Sequence, residues 1–427
     1  MAPFTLNWGI ISTGGISTTF AHDLLVDPAS RNTKDVKHRI VAVGSRSAQS
    51  AQAFINKLKE SPEEKPWAWG VKNGVLDGVK ARGTYEEVYN DPDVTAIYVG
   101  TPHVLHHRNA KDALLAGKHV LLEKPACLEV EELDELIKIA KEKKLFFMDM
   151  GSDEQQRRAV WTRFQPIAYA IEEVVKSGIL GKPKRFSADF SMDWDLDDTV
   201  SASPDSSRMV DPALGGGSLL DMSAYPSVWA MLLVHRHPLN TDKDPKVLFT
   251  HQTIYPRSGV DINSRWLVEW KGLCQGMLMT DLDNTGQKDS TAVLQCEEGD
   301  LVVACAFTFS APHFSPFPIA NLSFPLPLSS YVDPPYQPET FYIHPRPSRF
   351  PGPKGTITTS TTHHHPLHDG NNGMSYEADE VARCIRDGKI ESERMPWEES
   401  RVVQGWVDKV RKEGPTKTAK LVGTAGQ

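Results

Sequence analysis

The sequence predicts an α/β protein in two domains. Residues 1–150 read as a parallel sheet interleaved with helices, and residues 151–412 as an α/β domain on a large open, mostly antiparallel sheet. Three observations carry this. Up to about residue 150, apolar runs such as Trp8-Gly9-Ile10-Ile11 and Ile40-Val41-Ala42-Val43 alternate with stretches of helical period, the mark of repeated βαβ units. From Lys184 onward, period-two alternation dominates instead. A chain of 427 residues is also long enough to bury two cores. Residues 413–427 read as a C-terminal tail.

Composition excludes several classes of function. The hydrophobic share of 40%, the charged share of 24% and the net charge of −8 are ordinary for a soluble protein and give no reason to expect nucleic acid. The cysteines, Cys127, Cys274, Cys296, Cys305 and Cys384, are scattered without C-x-x-C spacing, which points to thiols in a reducing compartment and to no metal. Met1 runs almost directly into an apolar strand, with no basic leader and no long apolar segment. A cytoplasmic protein with no membrane contact is expected.

In chain order, the first strand spans Asn7–Ile11, and Ser12-Thr13-Gly14-Gly15-Ile16-Ser17 turns into a helix ending near Val26. A dinucleotide turn needs glycine so that backbone N–H groups can approach a pyrophosphate at a helix N-terminus. The motif G-x-G-x-x-G/A is reduced here to S-x-G-x-x-S. Gly14 and Gly15 keep the close approach, and Thr13, Gly14, Gly15 and Ile16 are candidate cofactor contacts. The second strand, Arg39–Gly44, ends in Ser45-Arg46 with no acidic residue to take ribose hydroxyls. Ser45 and Arg46 suit a 2′-phosphate instead, which predicts NADP rather than NAD. A helix over Ala48–Leu58, a polar insertion over about 60–83 and a strand over Val94–Val99 follow. Thr101-Pro102-His103-x-x-His106 then opens a helix over 109–116; no third ligand accompanies the two histidines, so they read as a polar loop wall.

The strand from His119 delivers Glu123-Lys124 onto Pro125, and a lysine at the carboxyl end of a strand is where open α/β sheets hold ligands. A helix over Glu129–Lys141 and a sixth strand over Lys144–Asp149 complete the first domain. Next come Trp161-Thr162-Arg163-Phe164-Gln165-Pro166, a helix over Ile167–Ser177 stopped at Gly178, and a strand over Lys184–Phe190. In the stretch Asp211–Pro226, three glycines permit backbone close to a ligand, and Asp221 and Tyr225 stand i, i+4 on the helix that follows. Alternating segments over 246–254, 265–270, 275–279, 291–296 and 300–304 predict the open sheet. His363-His364-His365 and His368 lie in a Thr/Pro/Gly stretch and read as a solvated loop.

Glu123-Lys124-Pro125, the strand end Tyr98–His103, Trp161–Pro166 and the pattern G-G-G-x-L-x-D-x-x-x-Y over 215–225 together resemble the Gfo/Idh/MocA family of NAD(P)-dependent oxidoreductases, in its sugar- and dihydrodiol-oxidising branch. The resemblance implies a Rossmann domain with Thr101, Pro102, His103, His106, Glu123 and Lys124 against the cofactor. It implies Trp161 and Arg163 lining a substrate pocket, with Asp221 orienting the substrate. Tyr225 would be the general base; a free tyrosine, at about 10, needs a nearby cation, which Lys124 supplies, and the lysine itself is the alternative acid/base. The implied activity is NADP-dependent removal of hydride from C1 of a D-xylose-like aldose, giving a lactone. The alternatives are a trans-dihydrodiol dehydrogenase and a non-catalytic NADP-binding regulator. A homodimer through the open sheet is also implied. Two stretches depart from the pattern: the polar run 151–158, placed where it could displace Trp161 and Arg163, and 306–330, whose Phe, Ser, Pro and Leu read like a translated polypyrimidine tract.

Overall fold

The computed structural model describes residues 2–59, 74–149, 152–153, 158–194, 196, 208–286, 290–304, 338–346, 352–368 and 372–416. The first domain runs β1 (Phe4–Ile11), α1 (Gly15–Leu25), β2 (Val36–Gly44), α2 (Ala48–Leu58), β3 (Lys80–Arg82), α3 (Tyr85–Tyr89), β4 (Ala96–Val99), α4 (His106–Leu115), β5 (His119–Leu122), α5 (Val130–Lys143) and β6 (Phe147–Asp149). The six strands are parallel in the order β3-β2-β1-β4-β5-β6. The order reverses between β1 and β4, which opens a crevice at their carboxyl ends. Both faces of the sheet are buried, as the near-continuous apolar β1, β4 and β5 require. The stretch read as insertion ends in the edge strand β3, and residues 60–73 lie outside the described residues. Helix α4 starts at His106 because a 3₁₀ turn over His103–Leu105 feeds straight into it.

After β6, β7 (Ser152–Asp153) pairs antiparallel with β8 (Arg158–Ala159), and the rest of the predicted departure at 151–158 lies outside the described residues. Then come α6 (Pro166–Ser177), closed by Gly178 in the left-handed region, β9 (Pro183–Ser191), α7 (Ser218–Met222), α8 (Ala224–Ala230), β10 (Lys246–Ile254), β11 (Asp261–Trp270), β12 (Cys274–Asp281), β13 (Ala292–Cys296), β14 (Gly299–Val303), β15 (Thr340–Pro345), β16 (Thr361–His364), α9 (Met374–Arg386) and α10 (Trp397–Glu413). The eight-stranded sheet has the order β10-β11-β12-β9-β13-β14-β15-β16; only β9 and β12 pair in parallel, so the sheet is mostly antiparallel as expected. Its inner face, with Phe186, Trp266, Trp270 and Leu278, packs under α6 and α8, which explains the alternating burial along β11 and β12.

Three readings are corrected. His363 and His364 belong to an edge strand rather than a loop, and no metal-holding cluster occurs among the described residues. The range 151–412, taken as one domain, includes α9, which returns to the first sheet: Met374, Ala378 and Val381 share a core with Leu6, Trp8 and Phe20. The reading of 413–427 as tail starts one residue early, since α10 runs to Glu413, and Thr416 still donates to Gln252 at 2.8 Å. The stretch 306–330 lies outside the described residues. No helix among them is long and apolar enough to cross a membrane.

Candidate active site

β1 ends at the turn that starts α1. Ser12 takes φ +79, a conformation that glycine adopts freely and serine adopts at a cost of about 1–2 kcal/mol. Gly14 stands at the N-cap of α1 and no side chain caps the helix. The first N–H groups of α1 are therefore open to an anion. The Ser17 hydroxyl, buried beside Gly100, has no partner among the described residues. Thr13 and Ser45 meet across the ends of β1 and β2, hydroxyl to hydroxyl at 3.1 Å. Arg46 follows as an exposed side chain. Thr13, Gly14, Gly15, Ser45 and Arg46 thus share one rim, while Ile16 turns into the core. An uncapped helix start, a hydroxyl pair and a free-standing guanidinium fit a dinucleotide with a 2′-phosphate.

On the other side of the crevice, β5 carries Lys124 to its carboxyl end. The lysine is 2% exposed; its Nζ donates to the Asp221 Oδ1 at 2.9 Å and to the Asp221 carbonyl oxygen. Arg208 donates through Nη1 to the same Oδ1 at 3.1 Å and to His103 Nε2 at 3.1 Å. Burial alone would raise the Asp221 pKa, but the charges of Lys124 and Arg208 outweigh it and hold the carboxyl well below the usual range. Its Oδ2 is buried with no partner among the described residues, an acceptor left for a ligand. Burial and the two cations drive His103 well below its ordinary value, so the ring is neutral; Nδ1–H donates to the Gly215 carbonyl and Nε2 accepts from Arg208.

Tyr225 stands on α8, one turn beyond Asp221. Its ring is stacked on Phe190 at 4.0 Å between centroids, and Lys124 Nζ lies 5.8 Å from the ring centroid. Asp261 holds the base of this helix pair, its Oδ2 accepting from Leu219 N at 2.8 Å, Ser218 Oγ at 2.7 Å and Ser264 Oγ at 2.7 Å. The close approach demands Gly217, whose φ is +113 and where a Cβ would stand 2.3 Å from Asp261 Oδ1.

Several expected contacts lie elsewhere. His106 is a brace: its ring nitrogens stand 2.8 Å from the Pro125 carbonyl and 2.7 Å from the Thr101 carbonyl, and burial lowers its pKa to about 4. Thr101 is buried and accepts from Asn109 at 3.0 Å. Pro102 opens the 3₁₀ turn that places His103. Glu123 lies beneath the site, accepting from the Tyr98 hydroxyl and from Lys124 N. Trp161 is fully buried in the core shared with α9, against Gly373, and does not join Lys124. Arg163 is 1% exposed and pairs with Glu399, so its charge is already compensated, and it lines a cavity that Lys124 also lines. Sequence reasoning missed Arg208; its position just before Asp211-Pro212 and the three glycines was the available signal.

With this geometry in hand, the relatives can be read. The family model "Oxidoreductase family, NAD-binding Rossmann fold" matches residues 6–149, and the GFO/IDH/MocA C-terminal domain matches 169–302. A D-xylose 1-dehydrogenase (NADP+) from Hypocrea jecorina is 30% identical over 99% of this chain and 95% of its own length. The chain belongs to the Gfo/Idh/MocA oxidoreductase family. Another member, the trans-1,2-dihydrobenzene-1,2-diol dehydrogenase of Homo sapiens, is 28% identical over 95% of this chain and 96% of its own. Among solved structures, the Gfo/Idh/MocA chain superposes on an aldose-aldose oxidoreductase from Caulobacter crescentus with a TM-score of 0.64 at 16% identity, covering 96% and 97% of the two chains. A levoglucosan dehydrogenase gives a TM-score of 0.67 at 15% identity, covering 96% of each. Both likenesses speak to the fold.

Proposed function

We propose that this Gfo/Idh/MocA protein is an NADP-dependent dehydrogenase that removes hydride from the C1 carbinol of a D-xylose-like aldose, giving the lactone. The observation that carries the reading is the meeting of Lys124, Asp221, Arg208 and Tyr225 at the carboxyl end of β5, across the crevice from the uncapped start of α1. The kinship with a D-xylose 1-dehydrogenase (NADP+) supports the substrate class.

Bound NADP+ would supply the hydride acceptor, held by Thr13, Gly14, Gly15, Ser45 and Arg46. The chain's own residues do the rest. Asp221, kept ionised and with Oδ2 unengaged, accepts from a substrate hydroxyl and fixes the ring. Tyr225 takes the C1 hydroxyl proton. Lys124, with two of its three N–H donors on Asp221, turns the third toward the reacting oxygen and favours the phenolate by its charge. Pairing with Asp221 favours Lys124 as the cation and Tyr225 as the proton acceptor.

One observation favours a second substrate. Tyr225 sits among Phe190, Met192, Met209, Met222 and Tyr255, an apolar and aromatic wall that suits the flat ring of a dihydrodiol. The purified protein with NADP+ and a panel of aldoses and trans-dihydrodiols tests both, with NADPH formation as the readout. Turnover of D-xylose above all diols is expected. Turnover of diols alone selects the second reading, and no turnover with intact NADP binding selects a regulator.

A further inference from the structure

Beside Lys124 the described residues form a partly open cavity of about 50 Å³. Its polar lining includes Lys124, Asp149 at the end of β6, Arg163, Ser227 of the α7–α8 segment, and Glu399 and Ser400 of α10. Pro125, Ala126, Val228 and Val407 complete a mixed wall, and a space of this size beside so many polar groups holds about three waters. The Ser227 hydroxyl is a second, independent sign of a guest: the residue is 1% exposed, and its Oγ has no partner among the described residues. Asp149 accepts from Ser400 Oγ at 2.6 Å through Oδ1, while part of its surface stays accessible. Lys124, by contrast, is 2% exposed.

The mechanism above leaves a proton without an exit. Each oxidation puts one proton on Tyr225, and Tyr225 is 3% exposed. We infer that the cavity is a proton relay, in which Lys124 passes a proton through cavity water to Asp149, and Asp149 releases it to solvent. The balance is simple. Once the product leaves, the Lys124 N–H that faced the reacting oxygen turns to a cavity water: Tyr225 returns its proton to Lys124 as Lys124 Nζ gives one to that water, the water passes one to the Asp149 carboxylate, and Asp149 loses one proton to bulk. One proton leaves per hydride transferred, and no redox partner is needed.

The groups around Asp149 suit the role. Burial raises its pKa above the ordinary carboxylate value, Ser400 hydrogen bonding and the Arg163 charge oppose that rise, and Glu377 and Cys127 face it from α9 and from the segment after Pro125. Glu399, the other carboxylate lining the cavity, is compensated by Arg163 and Arg236 and is held low. Asp149 is therefore the cavity's uncommitted acid.

The inference rests on the proposed dehydrogenase reading, and the test separates the two. Asp149→Asn should lower kcat about tenfold or more with KM and NADP affinity near wild type, and should raise the solvent deuterium isotope effect on kcat. Asp149→Glu should restore kcat, and so should concentrated imidazole buffer added to Asp149→Asn, by supplying an external proton carrier. In the cofactor-free protein, infrared difference spectra of wild type minus Asp149→Asn, taken through an acid titration, should show a carboxyl band that grows as pH falls and exchanges in D2O within the mixing time. An unchanged kcat and isotope effect, or a loss that neither glutamate nor buffer restores, overturns the relay. Absence of turnover by wild type on every substrate overturns the dehydrogenase reading instead, and the infrared band then decides for or against water access to Asp149.

Discussion

Lys124 and Asp221 form a buried ion pair 2.9 Å long between the end of β5 and the start of the α7–α8 segment. The pair joins the nucleotide-binding sheet to the second domain at the point where substrate would lie. Among the described residues each partner is otherwise engaged only on the site's own residues, so breaking the pair changes chemistry before it changes the fold. Lys124→Met should leave NADP binding within a few-fold of wild type and lower turnover at least about 10²-fold, the worth of a positioned acid–base group. Stopped-flow hydride transfer and cofactor titration check this. Turnover close to wild type would remove Lys124 from the active site.

Arg46 is the cationic residue on the proposed cofactor rim, where a 2′-phosphate would distinguish NADP from NAD. It is exposed after β2, beside the Thr13–Ser45 hydroxyl pair. Arg46→Ala should weaken NADP by about 1.5–3 kcal/mol, the scale of a lost charged hydrogen bond, and leave NAD nearly unchanged. Calorimetric titration with both cofactors decides it; equal losses would make Arg46 a structural residue.

These two positions were legible in the sequence because local pattern places them. An apolar run ending in a charged pair marks β5, and β2 ends in Ser45-Arg46 one residue past Gly44. Edge elements were less legible. β3 is three residues long, and β16 is Thr-Thr-His-His with both faces largely exposed, so neither shows a period. Arg208 escaped notice because its role depends on His103, brought from a distant strand end. Trp161 misled for the same reason: the local motif is intact, but α9 returns from far along the chain to cover it. Pattern predicts what neighbours in sequence do, and these residues are defined by neighbours in space.

The return of α9 rests on a second buried cluster. Asp379 accepts from Arg31 at 2.8 and 2.7 Å, from Thr33 at 2.8 Å, and meets His38 Nε2 at 2.9 Å. Burial alone would raise the Asp379 pKa, but Arg31 and His38 outweigh it and hold the carboxyl below its ordinary range. A carboxyl lowered on folding stabilises the native state above its unfolded value of about 4 and loses that contribution as pH falls below it. Asp379→Asn should therefore cost about 3 kcal/mol at neutral pH by leaving Arg31 uncompensated, and the difference from wild type should shrink toward pH 3. Urea unfolding across pH checks the sign; a difference that grows on acidification contradicts it.

The last expectation concerns Gly217, where the second domain's backbone passes under the site. Its φ of +113 and ψ of 153 fall in a region open to glycine alone, and an added Cβ would meet the Asp261 carboxylate at 2.3 Å. Asp261 cannot retreat freely, because Oδ2 is fixed by Ser218, Leu219 and Ser264. Gly217→Ala should thus cost about 3 kcal/mol or more, from backbone strain and overlap together, and should lower kcat in the folded protein by tilting Asp221 away from Lys124. Gly117 provides the contrast. It has φ +81 but nothing within 4 Å of an added Cβ, so Gly117→Ala should cost only about 1 kcal/mol of left-handed strain and leave kcat alone. Thermal unfolding and turnover measured on the two variants side by side separate strain from collision. Equal destabilisation with equal activity would mean that the Asp261 anchor yields, and that α7 does not depend on it to aim Asp221.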